Sequence, residues 1–141
     1  MSKCVFCDIV AGQVPASVVY EDEVALAFMD IYPVHPSHTL VIPRTHVADL
    51  ASCPPELVGE LFQVSARLAP AIAAATNAAG FNVWTANGKA AGQEVFHLHL
   101  HILPRYDDDT FGLRFPKGYP KEAPREALEE LAVKIRQVVR R

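Results

Sequence analysis

The chain has 141 residues, half of them hydrophobic, with 13 basic and 16 acidic side chains and a formal net charge of −3. This length favours one domain with a proper core, and the mixed charges argue against a nucleic-acid-binding stripe or an acidic tail. The N-terminus lacks the apolar stretch of a secretory signal, no run looks long and apolar enough to cross a bilayer, and three cysteines argue against a disulfide framework. We therefore expect a soluble, cytoplasmic protein of one domain without nucleic-acid or membrane partners.

The first predicted elements are three strands. Residues 18–21 and 24–29 form a β-hairpin around Asp22 and Glu23, although Asp-Glu is not a favoured two-residue turn. Two prolines then break the chain, and residues 38–42 form the third strand.

A long helix follows. Ser52 as capping residue and two prolines in the first turn indicate its start, while Gly80 suits its end and Pro70 should kink it. Apolar residues at helical spacing predict one buried face, made of Leu57, Leu61, Val64, Leu68 and Ile72.

Two more strands are predicted over residues 81–86 and 95–103, joined by a polar loop over 87–92. A last helix starts near Pro124, has Leu128, Leu131, Ile135 and Val138 on one face, and ends with Arg136, Arg140 and Arg141. Strands grouped around a helix without regular β-α alternation predict an α+β fold: a five-stranded antiparallel sheet, one long helix and a C-terminal helix.

Three alternating histidines, His97, His99 and His101, are the strongest indication of function in the sequence. Side chains alternate along a strand, so the three imidazoles should share one face while Leu98 and Leu100 pack on the core. The ordinary interpretation is one or two hydrogen-bonded histidines on a half-exposed face. Two chemical interpretations stay open on spacing alone: a zinc site, and nucleophilic attack by a neutral imidazole.

Several segments around these histidines resemble the histidine triad (HIT) family of nucleotidyl hydrolases and transferases, in its bacterial branch. The resemblance spans about residues 4–106 and rests on three separate segments at matching order and spacing, residues 28–33, 38–46 and 91–105, the last of which contains the three histidines. It implies a single HIT domain over residues 1–141, with an N-terminal CxxC segment (1–15) and a C-terminal extension (about 107–141).

The resemblance implies that His99 attacks the α-phosphate of a nucleotide, and that water then releases a nucleoside monophosphate from the nucleotidyl-phosphohistidine. His101 would hydrogen-bond a phosphate oxygen, and Gln93 would contact the phosphate or the leaving group. Main-chain amides near Glu94 and Val95 would hold the developing charge. The implied substrates are purine nucleoside phosphoramidates or dinucleoside polyphosphates, that is, derivatives of AMP or GMP, with no catalytic metal.

Other positions match nucleotide-binding residues of the family. Asp30 matches an acid that accepts hydrogen bonds from the ribose hydroxyls, although by itself it is equally a turn aspartate. Asn87 matches a polar residue near the phosphates, although Asn-Gly by itself indicates a turn. The walls around the base, which are otherwise ordinary core, match Phe6, Ile9, Phe28 and Ile31.

Two further positions near the triad are singled out. Glu94 stands where some relatives place a serine that serves the leaving group. A glutamate there adds negative charge, and either relays a proton for an amine leaving group or points away. His38 matches a supporting histidine.

Cys4 and Cys7 have the spacing of a metal knuckle, which also occurs in redox sites. A structural zinc needs four sulfur or imidazole ligands, and the resemblance implies that His46 and His97 are the other two. The alternative is a pair of buried free cysteines.

The leading hypothesis is an enzyme, with two alternatives: a zinc-dependent hydrolase that uses the triad as ligands, and a nucleotide-binding interaction protein with little turnover. The resemblance also implies a homodimer, with the long helix and the fourth strand, including Trp84, as candidate interface elements. The segment over residues 107–119 either reaches over the partner's pocket or is a surface loop.

Overall fold

The computed structural model describes residues 3–139 and divides them after Thr110 into two compact units. The predicted arginines Arg140 and Arg141 lie outside the described residues. The first unit contains the elements α1 (Val5–Val10), β1 (Val18–Glu21), β2 (Ala25–Met29), β3 (Thr39–Pro43), α2 (Pro55–Thr76), β4 (Gly80–Trp84) and β5 (Leu100–Arg105), with a short 3₁₀ turn at Lys89–Ala91.

The five strands form one antiparallel sheet in the order β1-β2-β3-β5-β4, which confirms the predicted α+β fold. Strand β5 lies between β3 and β4, so His101 faces Leu40 on one side and Trp84 on the other. The last strand in the chain is therefore held on both edges, and the third histidine has a fixed position.

The β1–β2 hairpin forms although Asp-Glu is a poor turn sequence, because Asp22 supplies the missing hydrogen bonds. Its Oδ1 accepts from the main-chain N–H groups of Val24 and Ala25 at 2.8 and 2.7 Å, and its Oδ2 accepts from the Tyr20 hydroxyl at 2.7 Å. Asp22 thus closes the turn through its side chain.

The ends of α2 differ from the prediction. Pro54 is the N-cap residue and makes no side-chain capping bond, whereas the Ser52 hydroxyl is hydrogen-bonded to Asp49. Asn77, in a left-handed conformation with φ of 55°, ends the helix, and Gly80 already belongs to β4. Pro70 lies inside the helix, which continues to Thr76.

Helix α2 also corrects the expectation that no run could cross a bilayer. Among residues 3–139 it is the one helix that reaches the required length and composition, with a mean hydropathy of 1.2. The core helix of a soluble protein can have the same length and composition. One side of α2 is buried on the sheet through Leu61, Val64 and Ala69.

The sheet has a packed cluster on each face, because successive residues of β2 and β3 point in opposite directions. The α2 side contains Ala25, Ala27, Val41, Leu61, Val64, Leu98, Leu100 and Ile102, while the opposite side contains Phe6, Leu26, Phe28, Leu40 and Ile42. On that second side, Phe6 of α1 packs edge-on against Phe28 with ring centroids 5.4 Å apart. The sequence did not predict α1.

The second unit contains α3 (Arg125–Val138), which starts directly after Pro124 as predicted. Its apolar side chains, including Leu131 and Ile135, are exposed. In the preceding segment the rings of Phe115 and Tyr119 stack at 4.1 Å.

Candidate active site and metal centre

The segment of the three histidines is not one continuous strand. Strand β5 begins at Leu100, so His97 and His99 precede it, and the chain bends over residues 95–97. The main-chain N–H of Leu98 donates to the carbonyl of Val47 at 2.8 Å. His97 and Leu98 are both buried, at 0% and 1% exposure, but they point to opposite sides. Leu98 packs in the α2-side cluster with Leu100, as the predicted alternation requires, while the rings of His97 and His99 contact Phe6 on the other side.

His99 is held with one ring nitrogen available for chemistry. Its Nδ1 lies 2.7 Å from the carbonyl oxygen of His97, and because a carbonyl only accepts, Nδ1 carries the proton and Nε2 carries the lone pair. The Thr85 hydroxyl donates to the His99 carbonyl at 2.9 Å and fixes the main chain. Burial lowers the pKa of His99, which keeps the ring neutral at pH 7.

A hydrogen bond from His38 determines which ring nitrogen of His101 carries the proton. The main-chain N–H of Val34 donates to Nδ1 of His38, so Nε2 of His38 carries the proton and donates to Nδ1 of His101 at 2.9 Å. Nε2 of His101 is then the protonated nitrogen. Burial, together with the nearby His99 and His38, lowers the pKa of His101 to about 4. The ring also stacks on Trp84, with centroids 4.5 Å apart.

A cavity of about 330 Å³ opens in front of His99 and His101. Of the predicted nucleotide-binding residues, those on its wall are Phe6, Ile9, Phe28, Asp30, Ile31, Val95, His99 and His101, together with Glu94. Further wall residues that the sequence did not single out include Val5, Val14, Pro15, Met29, Tyr32 and Gly92. Of these further residues, Val5 belongs to α1 and Val14 and Pro15 to the segment that follows it.

Asp30 makes the contact of a turn aspartate and also lies on the cavity wall. Its Oδ1 accepts from the main-chain N–H of Tyr32 at 2.9 Å, as a turn aspartate does, and its Oδ2 lies 3.7 Å from Nδ1 of His38. The carboxylate still borders the cavity. Asn87 does not line the cavity, and its Oδ1 accepts from the main-chain N–H of Leu50 at 2.7 Å.

Gln93 is also absent from the cavity wall, and its amide is occupied by the main chain. Its Oε1 accepts from Gly88 at 2.8 Å, while its Nε2 donates to the carbonyls of Ala48 and Val95 at 2.7 and 3.1 Å. The side chain is 3% exposed. Gln93 therefore holds together the loop that carries Glu94 and Val95 to the cavity.

Replacing Gln93 with alanine should lower the free energy of unfolding by about 1–3 kcal/mol, because three main-chain groups lose a buried partner. Urea denaturation measures this, and Lys89→Ala, an exposed position in the same loop, is the control expected to stay within about 0.5 kcal/mol. An unchanged midpoint for Gln93→Ala would contradict the assigned hydrogen bonds.

Four predicted metal ligands come together beside this site. The ligand atoms of Cys4, Cys7, His46 and His97 all lie within 4.8 Å of one another. Nδ1 of His97 is 3.2 Å from Nδ1 of His46, 3.3 Å from the sulfur of Cys4 and 3.5 Å from the sulfur of Cys7. A tetrahedral zinc with ordinary bond lengths separates such atoms by about 3.3 to 3.6 Å. The four side chains therefore fit a zinc ion.

The protonation of His97 agrees with this arrangement. Its Nε2 lies 2.8 Å from the carbonyl oxygen of Pro43 and must donate, so the lone pair on Nδ1 faces the sulfurs. Burial raises the pKa of the Cys7 thiol to about 11, and Cys4 adds to the rise. A divalent cation between the sulfurs would instead favour thiolates.

Comparison with known proteins gives consistent matches. A family model described as HIT domain matches residues 11–108. The Protein hit of Bacillus subtilis is 46% identical over 111 residues, covering 78% of this chain and 77% of the relative. Adenylylsulfatase HINT3 of Arabidopsis thaliana is 40% identical over 108 residues, covering 77% of this chain and 55% of the plant protein.

Solved structures match over nearly the whole chain. A HIT family protein from Bacillus anthracis has a TM-score of 0.90 and 44% identity, and covers 99% of both chains. A zinc-bound histidine triad family protein from Mycobacterium smegmatis has a TM-score of 0.75 and 41% identity, with coverage of 96% and 95%. A histidine triad nucleotide-binding protein from Candida albicans has a TM-score of 0.85 and 29% identity, with 96% of both chains covered.

Proposed function

The chain belongs to the HIT domain family, and on that premise we propose that it is a nucleotidyl hydrolase or transferase. Its substrates are purine nucleoside phosphoramidates or dinucleoside polyphosphates, and its product is a nucleoside monophosphate. One observation carries the proposal: Nδ1 of His99 is bonded to the His97 carbonyl at 2.7 Å, which leaves the lone pair of Nε2 for attack in a residue that lines the cavity.

The reaction consists of two displacements at phosphorus. In the first, the lone pair of His99 Nε2 forms an N–P bond, and the bond to the leaving group breaks with its electron pair. An amine leaving group takes a proton from water at the cavity mouth. In the second, a water oxygen attacks phosphorus, the N–P electron pair returns to Nε2, the water proton passes to solvent, and the nucleoside monophosphate departs.

The cavity supplies binding and charge stabilisation. The apolar walls at Phe6, Ile9 and Phe28 take the purine, and the Asp30 carboxylate accepts from the ribose hydroxyls. The N–H on Nε2 of His101 donates to a phosphate oxygen, as do main-chain N–H groups near Val95. The contacts of Gln93 favour a supporting role for it over direct contact with the phosphate.

We further propose a structural zinc held by Cys4, Cys7, His46 and His97. The support is the spacing of the four ligand atoms and the zinc-bound relative from Mycobacterium smegmatis. Such an ion would tie the N-terminal segment to His97, two residues from the nucleophile, and takes no part in the displacement itself.

The two alternative functions have less support. A zinc hydrolase that uses the triad as ligands needs nitrogens that converge, but no candidate metal group among residues 3–139 contains His99. A second such group joins Asp30, His38 and His101, where a hydrogen bond already links the two facing imidazole nitrogens. A binding protein with little turnover would keep the same cavity, so turnover separates it from an enzyme.

The expected homodimer and cytoplasmic location remain proposals. The exposed apolar side chains Phe62 on α2 and Phe81 on β4 support these elements as the dimer interface. The proposed C-terminal extension, residues 107–141, includes the second compact unit.

The test of the proposed function is a substrate panel. Adenosine and guanosine phosphoramidates are compared with diadenosine tri- and tetraphosphates, and release of AMP or GMP is followed. A substrate labelled at the α-phosphate should give protein-bound label that is lost in acid and survives in base. Absence of both turnover and label on every substrate would contradict the proposal and favour a binding role.

The pH dependence follows from the burial of the histidines. Burial lowers the pKa of His99 and brings that of His101 to about 4, so both rings stay neutral as the pH falls through 6.5, the ordinary value. We therefore expect kcat/KM to be flat from pH 8 down to about 6.5 and to fall only below it. An inflection at or above pH 6.5, with zinc content and circular dichroism unchanged, would contradict this assignment.

A further inference from the structure

Trp84 is the single tryptophan of the chain, and it packs against two histidines that share a hydrogen bond. Its indole is nearly parallel to the His101 ring, with an angle of 4° between the planes and 4.5 Å between the centroids. The same indole lies 5.9 Å from the His38 ring at an angle of 36°. It therefore contacts both members of the His38–His101 pair.

The register of the sheet fixes this contact. Trp84 of β4 is directly opposite His101 of β5, and directly opposite residues of antiparallel strands point to the same face. The neighbouring pair, Val83 and Ile102, points to the other face and packs in the cluster on the α2 side. Strand β4 thus presents Trp84 to the histidines and Val83 to the core.

Trp84 lies outside the nucleotide cavity. His101 lines the cavity of about 330 Å³, whereas Trp84 is not one of its wall residues. A substrate in the cavity therefore touches His101 and not the indole. An effect of Trp84 on the reaction must be transmitted through the His101 ring.

We propose that Trp84 is a positioning residue for the reaction: its indole holds the His101 ring in the orientation that aims the N–H on Nε2 at the phosphate. This inference rests on the proposed function, in which that N–H donates to a phosphate oxygen. It assigns a part in the reaction to a side chain that the substrate does not touch.

The hydrogen bond from His38 does not fix the His101 ring by itself. It holds Nδ1 at one edge of the imidazole, at 2.9 Å, and the ring can still tilt about that bond. The rings of His38 and His99 are inclined by 39° and 58° to His101, whereas the indole lies flat against it. A flat aromatic group against the face of the imidazole opposes the tilt.

The protonation of the pair depends on the same covering of the ring. Burial lowers the pKa of His101 to about 4, His99 and His38 act in the same direction, and Asp30 acts against them. The neutral ring keeps the lone pair on Nδ1 that accepts from His38, and a proton on Nδ1 would break that bond. Removing the indole should therefore weaken the pair twice, because the stack is lost and water reaches the ring.

The kinetic test compares three variants of β4. Trp84→Ala removes the stack, Trp84→Phe keeps a flat ring, and Val83→Ala removes packing from the same strand on the face away from His101. On an adenosine phosphoramidate, Trp84→Ala should lower kcat by about 10-fold and leave KM within about 2-fold, because orientation is lost but no cavity wall. Trp84→Phe should recover most of kcat, and Val83→Ala should keep kcat within about 2-fold.

Nuclear magnetic resonance tests the stack without a substrate. In the wild-type protein the ring current of the indole should shift the ring protons of His101 upfield, and the signal should stay constant from about pH 8 to about pH 5.5. In Trp84→Ala the upfield shift should be lost, and the signal should move within that range as the ring takes up a proton. The signal is assigned by its absence in His101→Ala.

Oligomeric state and zinc content are measured for each variant, because β4 is a candidate dimer interface. Trp84→Leu, which is apolar but not flat, replaces Trp84→Ala if the latter does not fold, and the same losses are expected. A His101 signal without an upfield shift in the wild type, or an unchanged kcat in the folded variant, would overturn the positioning role while wild-type turnover upholds the proposed function. Absence of wild-type turnover on every substrate would overturn the proposed function, and with it this role, even if the upfield shift is observed.

Discussion

His99→Ala is expected to lower kcat by about 10⁴-fold or more and to abolish covalent labelling of the protein. The reason is chemical: without the Nε2 lone pair no N–P bond forms, and the two-step route is closed. The fold should survive, because the ring is replaced by a smaller apolar group and the neighbouring Leu98 and Leu100 remain packed. Nucleotide binding should be weakened much less than turnover.

Rapid quench with a substrate labelled at the α-phosphate measures the intermediate, and calorimetry with AMP measures binding. His101→Ala should keep the label but form it about 10²-fold more slowly, because it removes a hydrogen bond to phosphate and not the nucleophile. His35→Gln, a histidine outside the cavity, is the control for loss of an imidazole. Full turnover in His99→Ala would show that another group attacks phosphorus.

The sequence predicted the sheet and the long helix because both depend on local patterns. Alternation and turn residues placed β1, β2 and β3, and helical spacing placed α2. The predicted end of α2 was misplaced because Asn77 adopts the left-handed conformation that is most often found at glycine. The six residues of α1 are too few for a periodic pattern, and their packing depends on the distant Phe28.

The active site likewise depends on contacts between residues that are far apart in the chain, which local patterns do not predict. Regular alternation correctly separated the imidazoles from Leu98 and Leu100, which pack on the α2 side. It did not predict that the strand begins only at Leu100, or that His97 bonds to Pro43 and Leu98 to Val47. The protonation of each ring likewise depends on a carbonyl or an imidazole elsewhere in the fold. The resemblance implied that Gln93 contacts the phosphate or the leaving group. Its three hydrogen bonds to the main chain instead hold the loop that contains Glu94 and Val95.

Trp84 is the clearest case of a role that no local pattern contains. The sequence offered it as a candidate interface residue. It stacks on His101 at 4.5 Å because β4 and β5 pair with these two residues opposite each other. Register across a sheet is a tertiary property, and a single chain segment does not encode it.

The metal centre leads to the second large expected effect. Protein purified without chelator should contain about one zinc per chain, and Cys4→Ser should reduce this below about half. The melting temperature should then fall by about 10 °C or more, since losing a structural zinc costs several kcal/mol and each kcal/mol moves a domain of this size by about 3–5 °C. Atomic absorption and differential scanning calorimetry measure the two quantities.

Loss of zinc should weaken nucleotide binding more than it slows the chemical step. Helix α1 carries Val5, Phe6 and Ile9 to the cavity wall, so loosening it should raise KM for the nucleotide. His97 keeps its bond to Pro43 and so continues to position His99, and kcat should therefore fall less than KM rises. Cys53→Ala, a buried cysteine outside the cluster, is the control that should retain zinc and KM. A metal-free Cys4→Ser protein with an unchanged melting temperature and KM would mean that the ion does not hold α1 in place.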